Sequence, residues 1–384
     1  MFSAKSKLSL VKATLFQNTP VYVQFYITAR CNLTCEQCNI IYANSDVREC
    51  SIDEIREIAK NLSEIGVAII LLTGGEPFAR KDLAEIIYEF ESKGIHVRMQ
   101  TNGFATEDQI KSVIQAGGKD ISISLDSLDF EKQDKINGGF KKSWYKAIET
   151  ISLFTKYLPK KNSFASLGCV LQKQNINDIQ SVIEFGTRIG WHTSLVPIHV
   201  TDQTKPMGFR TFDQKLKFLP GDYEAVNEII EKVRKMRNQG YLLYDSDEYL
   251  DNIKLFIQNK AITWRDKNKG VCDSPNLYFA VLPNGEFAPC CDHRLSNSYP
   301  IYDEKFINFY KDIEWRNEVK KITSNCEGCM YGSYPEMSIS MRFMFAKIQR
   351  IKTFFISPPE KKWPISYEKL IEIAVEIKEK YKNI

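Results

Sequence analysis

From about residue 20 to residue 200, short apolar runs alternate with amphipathic segments. "VYVQFYIT" (21–28), "VAIILLT" (67–73), "IHVRMQT" (95–101), "DISISLD" (120–126), "FASLGCVLQ" (164–172) and "HTSLVPIH" (192–199) are rich in β-branched and aromatic residues. Most are too short for helices, and they predict strands. Between them, Ser51 with Glu54 predicts a capping box, and Ile55, Ile58, Ala59, Leu62 and Ile65 recur at helical spacing. Thr106 with Gln109 repeats the cap, and Asp178 predicts the start of a helix over "IQSVIEFGTRIG". Parallel strands need crossovers, which helices supply with a right-handed turn. The pattern therefore predicts an α/β fold with a parallel sheet, either a barrel or a doubly wound sheet. Both gather ligands at the carboxyl ends of their strands.

Beyond residue 200 the alternation stops. "TDQTKPMGFRTFDQKLKFLPGD" is long and polar, the pattern of a substrate loop or lid. Helices are predicted over 222–239 and 247–260, and "VLPNGEF" reads as a hairpin inside a turn-rich stretch, 270–335. The tail ends in the helical pattern "SYEKLIEIAVEIKEKYK". Before it, "MRFMFAKIQRIKTFFI" mixes Phe343, Phe345, Ile348, Ile351, Phe354 and Phe355 with Arg342, Lys347, Arg350 and Lys352 and contains no acid. The favoured expectation packs its apolar side on the barrel with the cations solvated. The alternative is peripheral membrane contact through residues 341–356, which would point to a lipid-linked substrate.

Composition narrows the class. A chain of 384 residues suffices for one large domain and one small one. A net charge of +4 gives no broad nucleic-acid footprint. The first residues lack a signal peptide, and no apolar run is long enough for a bilayer span, so the expected location is cytoplasmic or peripheral to the membrane. Ten cysteines in that compartment point to metal ligands or redox groups rather than bridges.

Three of them, in "YITARCNLTCEQCNII" (26–41), are Cys31, Cys35 and Cys38, directly after the first strand. Each iron of a cubane cluster wants a terminal ligand, so three thiolates leave one iron open, as a catalytic centre requires. The second strand ends "LLTGGEPF". There Gly74 and Gly75 let the backbone turn close to a ligand, and Glu76 can accept from an ammonium group. The third strand ends "QTNG", with Asn102, and alternation along the fourth sets Ser122, Ser124 and Asp126 on one face.

The Cys-x3-Cys-x2-Cys spacing with GGEP one unit later resembles the radical S-adenosylmethionine (radical SAM) enzymes. The resemblance covers most of residues 20–335. It implies a partial (β/α)6 TIM-like barrel, a SAM-binding 4Fe–4S cluster on Cys31, Cys35 and Cys38, and SAM contacts from Gly74, Gly75, Glu76, Asn102, Ser124 and Asp126. It also implies reductive cleavage of SAM to a 5′-deoxyadenosyl radical that takes hydrogen from a substrate, with a flavodoxin- or ferredoxin-type electron donor. Two positions depart from the family: Gln37 stands where many members carry an aromatic residue, and Gln133-Asp134 where relatives often show His-Asp.

The later cysteines, Cys272, Cys290, Cys291, Cys326 and Cys329, fall in "GVCDSPNLYFAVLPNGEFAPCCDHR" and "NCEGCMYG". They resemble the Twitch module, a shortened SPASM extension built of a β-hairpin plus helix. This implies an auxiliary 4Fe–4S cluster on Cys272, Cys290, Cys326 and Cys329. Structural zinc is the rival, since four thiolates suit it equally. Cys291 is either a substitute for Cys290 or a spare thiol able to give hydrogen to a substrate radical. Cys169 reads as a buried structural residue; His199, at a strand end, is a candidate substrate contact, with a structural role as the favoured reading.

The expected organisation is an N-terminal extension (1–19), the barrel (20–215), a helical linker (216–264), the cluster module (265–335) and the basic tail with its helix (336–384). The substrate is a small molecule, a peptide or a lipid-linked compound. Beside the radical enzyme stand a SPASM-type peptide maturase, making a cross-link or an epimer, and a non-catalytic iron–sulfur carrier or sensor. A first strand near residue 21 leaves no room for a leader-peptide domain, which weighs against a peptide.

Overall fold

The computed structural model describes residues 3–16, 19–38, 47–200, 214–264, 276–326, 328–353 and 360–382. Six strands, β1 (Tyr22–Thr28), β2 (Ile69–Gly74), β3 (His96–Thr101), β4 (Asp120–Ser124), β5 (Phe164–Leu171) and β6 (His192–Pro197), pair in parallel and in chain order. They lie where the apolar runs predict them. Both capping boxes form: Ser51 Oγ accepts from Glu54 N at 3.3 Å and Thr106 Oγ1 from Gln109 N at 3.3 Å. Asp178 does not cap its helix. It binds Lys132 Nζ at 2.7 Å, and a 3₁₀ turn, Lys173–Asp178, leads into Ile179–Arg188 instead.

The six strands wrap around one lumen rather than lying open. Gln24, Leu71, Arg98, Ser122, Ser166 and Ser194, one from each strand, line a single cavity of about 340 Å³. The apolar residues of each strand face outward against the surrounding helices, as Val23, Ile70, Val97, Ile121, Leu167 and Leu195 do in the main core. The structure is thus the partial (β/α)6 barrel, and the doubly wound alternative is set aside.

Two strands extend the sheet. β7 (Tyr278–Val281) lies parallel to β1, and β8 (Phe287–Ala288) pairs antiparallel with β7. The expected hairpin therefore joins the barrel wall. The gap between β6 and β1 is filled from further along the chain. Residues 242–244 run beside Thr193, and the helix Ser333–Arg342 sends Ser333 and Glu336 into the lumen. Tyr334 holds that helix in place, stacked on Tyr278 at 4.5 Å and edge-on to Tyr22 at 6.4 Å. The helix Ala4–Phe16 covers the other end, with Ser3 and Ser6 hydroxyls donating to Gly94 O. The last helix, Tyr367–Tyr381, docks outside through Lys380–Glu184 at 2.6 Å and Arg188–Glu376 at 2.9 Å.

The tail reverses the favoured expectation. In the helix Met344–Ile351, Phe345 is 85% exposed, and Met344, Ile348 and Ile351 are exposed as well. Arg350 turns inward to pair with buried Glu336, and Arg342 donates to Trp264 O at 3.0 Å. Buried acceptors outcompete solvent for these guanidinium groups, so cations rather than apolar side chains anchor the segment. Residues 354–356 and the greater part of the expected substrate loop, 201–213, lie outside the described residues.

The ends of β1 and β2 position everything that follows. Their ladder continues past the strands: Gly75 N–H donates to Thr28 O and Glu76 N–H to Arg30 O, both at 2.8 Å. Gly74 takes a φ of +137°, which side chains disfavour. A Cβ on Gly75 would stand 2.1 Å from Arg30 O. We expect Gly75→Ala to destabilise the protein by about 3 kcal/mol, read as a lower thermal unfolding midpoint. An unchanged midpoint would mean that the two segments are free to part.

Candidate functional site

Past β1 the chain turns across the mouth of the lumen, and Cys31, Cys35 and Cys38 line the cavity together. None of the three forms a disulfide among the described residues. The loop rests on the corner after β4, where Glu36 N–H donates to Ile136 O at 3.2 Å, and Cys35 Sγ lies 3.6 Å from Asn137 Oδ1. Leu33 N–H and Asn102 Nδ2 approach Cys31 Sγ at 3.4 and 3.6 Å, donors suited to a thiolate sulfur. Burial pushes the Cys31 thiol up to about 11 and raises Cys35 further. A bound cation would reverse that, because metal ligation deprotonates thiols.

Among the described residues, no group of three or more His, Cys, Asp or Glu side chains is drawn together around a single ion. A cubane cluster does not ask for this, since each iron takes its own thiolate. Three unbridged thiols at one cavity wall, with amide donors behind Cys31, fit such a cluster.

Of the predicted SAM contacts, Gly74, Gly75, Asn102, Ser124 and Asp126 line the same cavity, with Ser122 on their face as alternation requires. Glu76 lies behind the turn. Its carboxylate is buried and accepts from Phe78 N (3.0 Å), Thr101 Oγ1 (2.8 Å) and Asn102 N (2.7 Å), which ties the end of β2 to the end of β3. Burial still lifts its carboxyl to about 7. Asp126 is lifted to about 7 by the same cause, and it accepts from Val170 N at 2.6 Å.

The two departures from the family have structural roles. Gln37 Nε2 faces Asp126 Oδ2 at 3.4 Å, while its Oε1, at the cavity, is buried with no partner among the described residues. That oxygen is an acceptor open to a ligand donor, such as the amino group of an adenine. Gln133 Oε1 accepts from Asp126 N and Ser127 N at 2.8 and 2.9 Å, fixing the exit of β4. Asp134 accepts from Lys142 N, Ser143 Oγ and Trp144 N at the start of the next helix.

The second cysteine group divides. Cys290, Cys326 and Cys329 line one small pocket with Trp264, Tyr278 and Tyr334, and Gly328 N–H points at Cys326 Sγ at 3.4 Å. Cys272 lies outside the described residues. Cys291 faces the other way, into the barrel cavity, where the Tyr26 hydroxyl is its neighbour. His199 lines the barrel cavity and is held toward the second cysteine region. Its Nδ1 donates to Pro197 O at 2.9 Å, its Nε2 accepts from Met330 N at 2.9 Å, and its ring stacks on Tyr331 at 3.8 Å. Cys169 is buried, as expected.

Sequence reasoning missed the lower lumen: Gln24, Arg98, Gln100, Ser166, Ser194, Tyr244 and Glu336 also line it. The signal was present in the strands. Polar residues at alternate positions in otherwise apolar runs, as in Arg98 and Gln100, mark a wetted interior face.

A family model described as the radical SAM superfamily matches residues 25–186. A probable GTP 3′,8-cyclase of Archaeoglobus fulgidus is 34% identical over 218 residues, 56% of this chain and 67% of the relative. An AdoMet-dependent heme synthase of Methanosarcina barkeri is 28% identical over 211 residues, and this chain spans only 57% of its length. Among solved structures, Streptococcus suis SuiB bound to its precursor peptide SuiA aligns with a TM-score of 0.61 at 15% identity, over 86% of this chain and 75% of that one. A tagged form of anSMEcpe with bound AdoMet aligns with a TM-score of 0.58 at 14% identity, over 95% and 98%. At such identity these two likenesses speak for the fold alone. The matched segment contains the thiol loop, the GGEP turn, most of β1 and all of β2 to β5, and the chain belongs to the radical SAM superfamily of enzymes, whose members imply SAM and a 4Fe–4S cluster.

Proposed function

We propose that this enzyme cleaves SAM reductively at the barrel mouth and removes hydrogen from a substrate seated in the lumen. The observation that carries this is the lining of one cavity by Cys31, Cys35, Cys38, Gly74 and Gly75. In this reading the three thiolates hold a 4Fe–4S cluster with one open iron. When bound, the reduced cluster supplies the electron that splits the SAM sulfonium and yields a 5′-deoxyadenosyl radical. The chain's own residues orient the cofactor. The 74–76 turn receives the methionine amine, with Glu76 shaping the turn and supplying its negative charge. Asn102, Ser124 and Asp126 face the ribose and carboxylate. A flavodoxin- or ferredoxin-type protein delivers the electron.

Residues 20–215 form the core in this scheme, and 265–335 form a Twitch-like module. Cys272, Cys290, Cys326 and Cys329 hold an auxiliary 4Fe–4S cluster that accepts an electron from the substrate radical, giving net oxidation or bond formation. Support comes from the shared pocket of Cys290, Cys326 and Cys329. Anaerobic reconstitution tests both halves. The parent should bind about eight irons per chain, and Cys31→Ala or Cys326→Ala about four. Cys31→Ala should abolish 5′-deoxyadenosine formation with dithionite. If it cleaves SAM as the parent does, the proposal fails, and zinc in place of the second set of irons would replace the auxiliary cluster by a structural site.

For the redox-neutral branch, in which the substrate radical gives no electron to the auxiliary cluster, Cys291 is the proposed hydrogen donor, because it opens into the lumen beside Tyr26, and the thiyl radical left on it is returned to the thiol by one electron from the protein donor and a solvent proton. In deuterated buffer the parent's product should carry one solvent deuterium, and that of Cys291→Ala none. Equal labelling in both would remove Cys291 from the chemistry.

A peptide-modifying maturase is the second reading; SuiB, which shares the fold, was solved with a precursor peptide. Peripheral membrane contact through 341–356 draws support from exposed Met344, Phe345, Ile348 and Ile351 beside Lys347 and Lys352. The protein should cosediment with phosphatidylglycerol vesicles and not with phosphatidylcholine vesicles, and Phe345→Glu should weaken this at least tenfold. Failure of the parent to sediment would end the membrane reading. No helix among the described residues is long and apolar enough to cross a membrane.

A further inference from the structure

Deep in the lumen a cation stands without a counter-ion among the described residues. Arg98 lies on β3 three residues before Thr101, roughly 10 Å below the strand end at the rise of a parallel strand. Its guanidinium rests over the rings of Phe164 and Tyr244, at 5.3 and 5.4 Å. Among the described residues its one hydrogen bond runs from Nη1 to Tyr244 Oη at 3.3 Å. Among the described residues, no carboxylate comes within 4.0 Å of it.

The nearby acids are committed elsewhere. Asp120, the cross-strand partner of Arg98, accepts from His96 Nε2 at 2.7 Å and from Phe164 N at 3.0 Å. Asp245 accepts from Ser194 Oγ at 2.8 Å and Leu195 N at 2.6 Å. Glu336 pairs with Arg350. Arg350 adds to the positive field, since its guanidinium lies 3.7 Å over the same Tyr244 ring. An arginine cannot relieve this by losing its proton, and a buried charge is costly unless paired. The remaining N–H donors of Arg98 open onto the cavity beside Gln24, Gln100, Ser122 and Ser166.

We propose that Arg98 is the anchor for an oxyanion of the substrate, a carboxylate or phosphate that docks in the lower lumen and leaves the reacting C–H facing the thiol loop. Planar guanidinium donors match such a group in pairs. The methionine carboxylate of SAM is assigned elsewhere in this reading, because the thiol loop and the residues proposed to hold the cofactor sit at the strand ends, roughly 10 Å above. The inference deepens the radical SAM reading of this cleft and rests on it.

The test uses reconstituted parent protein with SAM present. Acetate and inorganic phosphate are titrated separately at constant ionic strength, with chloride as control, and binding is read by calorimetry and thermal shift. At least one of the two should bind saturably, and the stronger one names the source of the oxyanion. Arg98→Gln should weaken that binding at least tenfold. Arg98→Lys keeps the charge but not the fork, should weaken it several-fold, and decides the matter if Arg98→Gln does not fold. The inference is overturned if neither anion binds more tightly than chloride, or if both variants bind like the parent. Reductive SAM cleavage by the parent, measured on the same preparation, reports separately on the proposed function, so the two ideas can fail independently.

Discussion

Two backbone hydrogen bonds beyond the end of a strand pair set the geometry of this enzyme. Gly75 N–H to Thr28 O and Glu76 N–H to Arg30 O continue the β1–β2 ladder after both strands have stopped. They hold the loop that carries the thiols beside the turn that carries the glycines. The turn can approach that closely because neither glycine brings a Cβ to the contact. Glu76 then locks the arrangement to the third strand through Thr101 and Asn102, and Asn102 reaches Cys31. Remove the ladder extension and the cavity loses its rim.

Local chemistry made much of this legible in the sequence. The six strands, two capping boxes and the thiol spacing depend on neighbours a few residues apart, so their pattern survives in the linear text. Alternation also placed Ser122, Ser124 and Asp126 on one face correctly. What escaped depends on partners far along the chain. The hairpin at 278–288 was visible, but its parallel pairing with β1 was not, because Tyr22 and Tyr278 meet only after the barrel has closed. The Arg98, Tyr244 and Arg350 cluster draws on three distant segments. The tail was misjudged for a related reason. An amphipathic pattern says which residues are apolar, whereas the buried acceptors Glu336 and Trp264 O decide which side is held.

Cys290 and Cys291 show how one step along the chain can serve two chambers. In the bend that follows β8, one thiol joins Cys326 and Cys329 in the small pocket while its neighbour looks into the lumen. The duplicated cysteine thus occupies two environments, which a linear pattern could not separate.

The wedge formed by the helix Ser333–Arg342 has a consequence for biogenesis. The segment through β6 supplies the staves of the vessel, but its last side comes from Tyr331, Ser333 and Glu336. A growing polypeptide leaving the ribosome would display the thiols of the 31–38 loop long before the lumen beneath them had its last wall. The chamber can shut only once the 333–342 helix has emerged, which separates exposure of the loop from closure of the cavity in time.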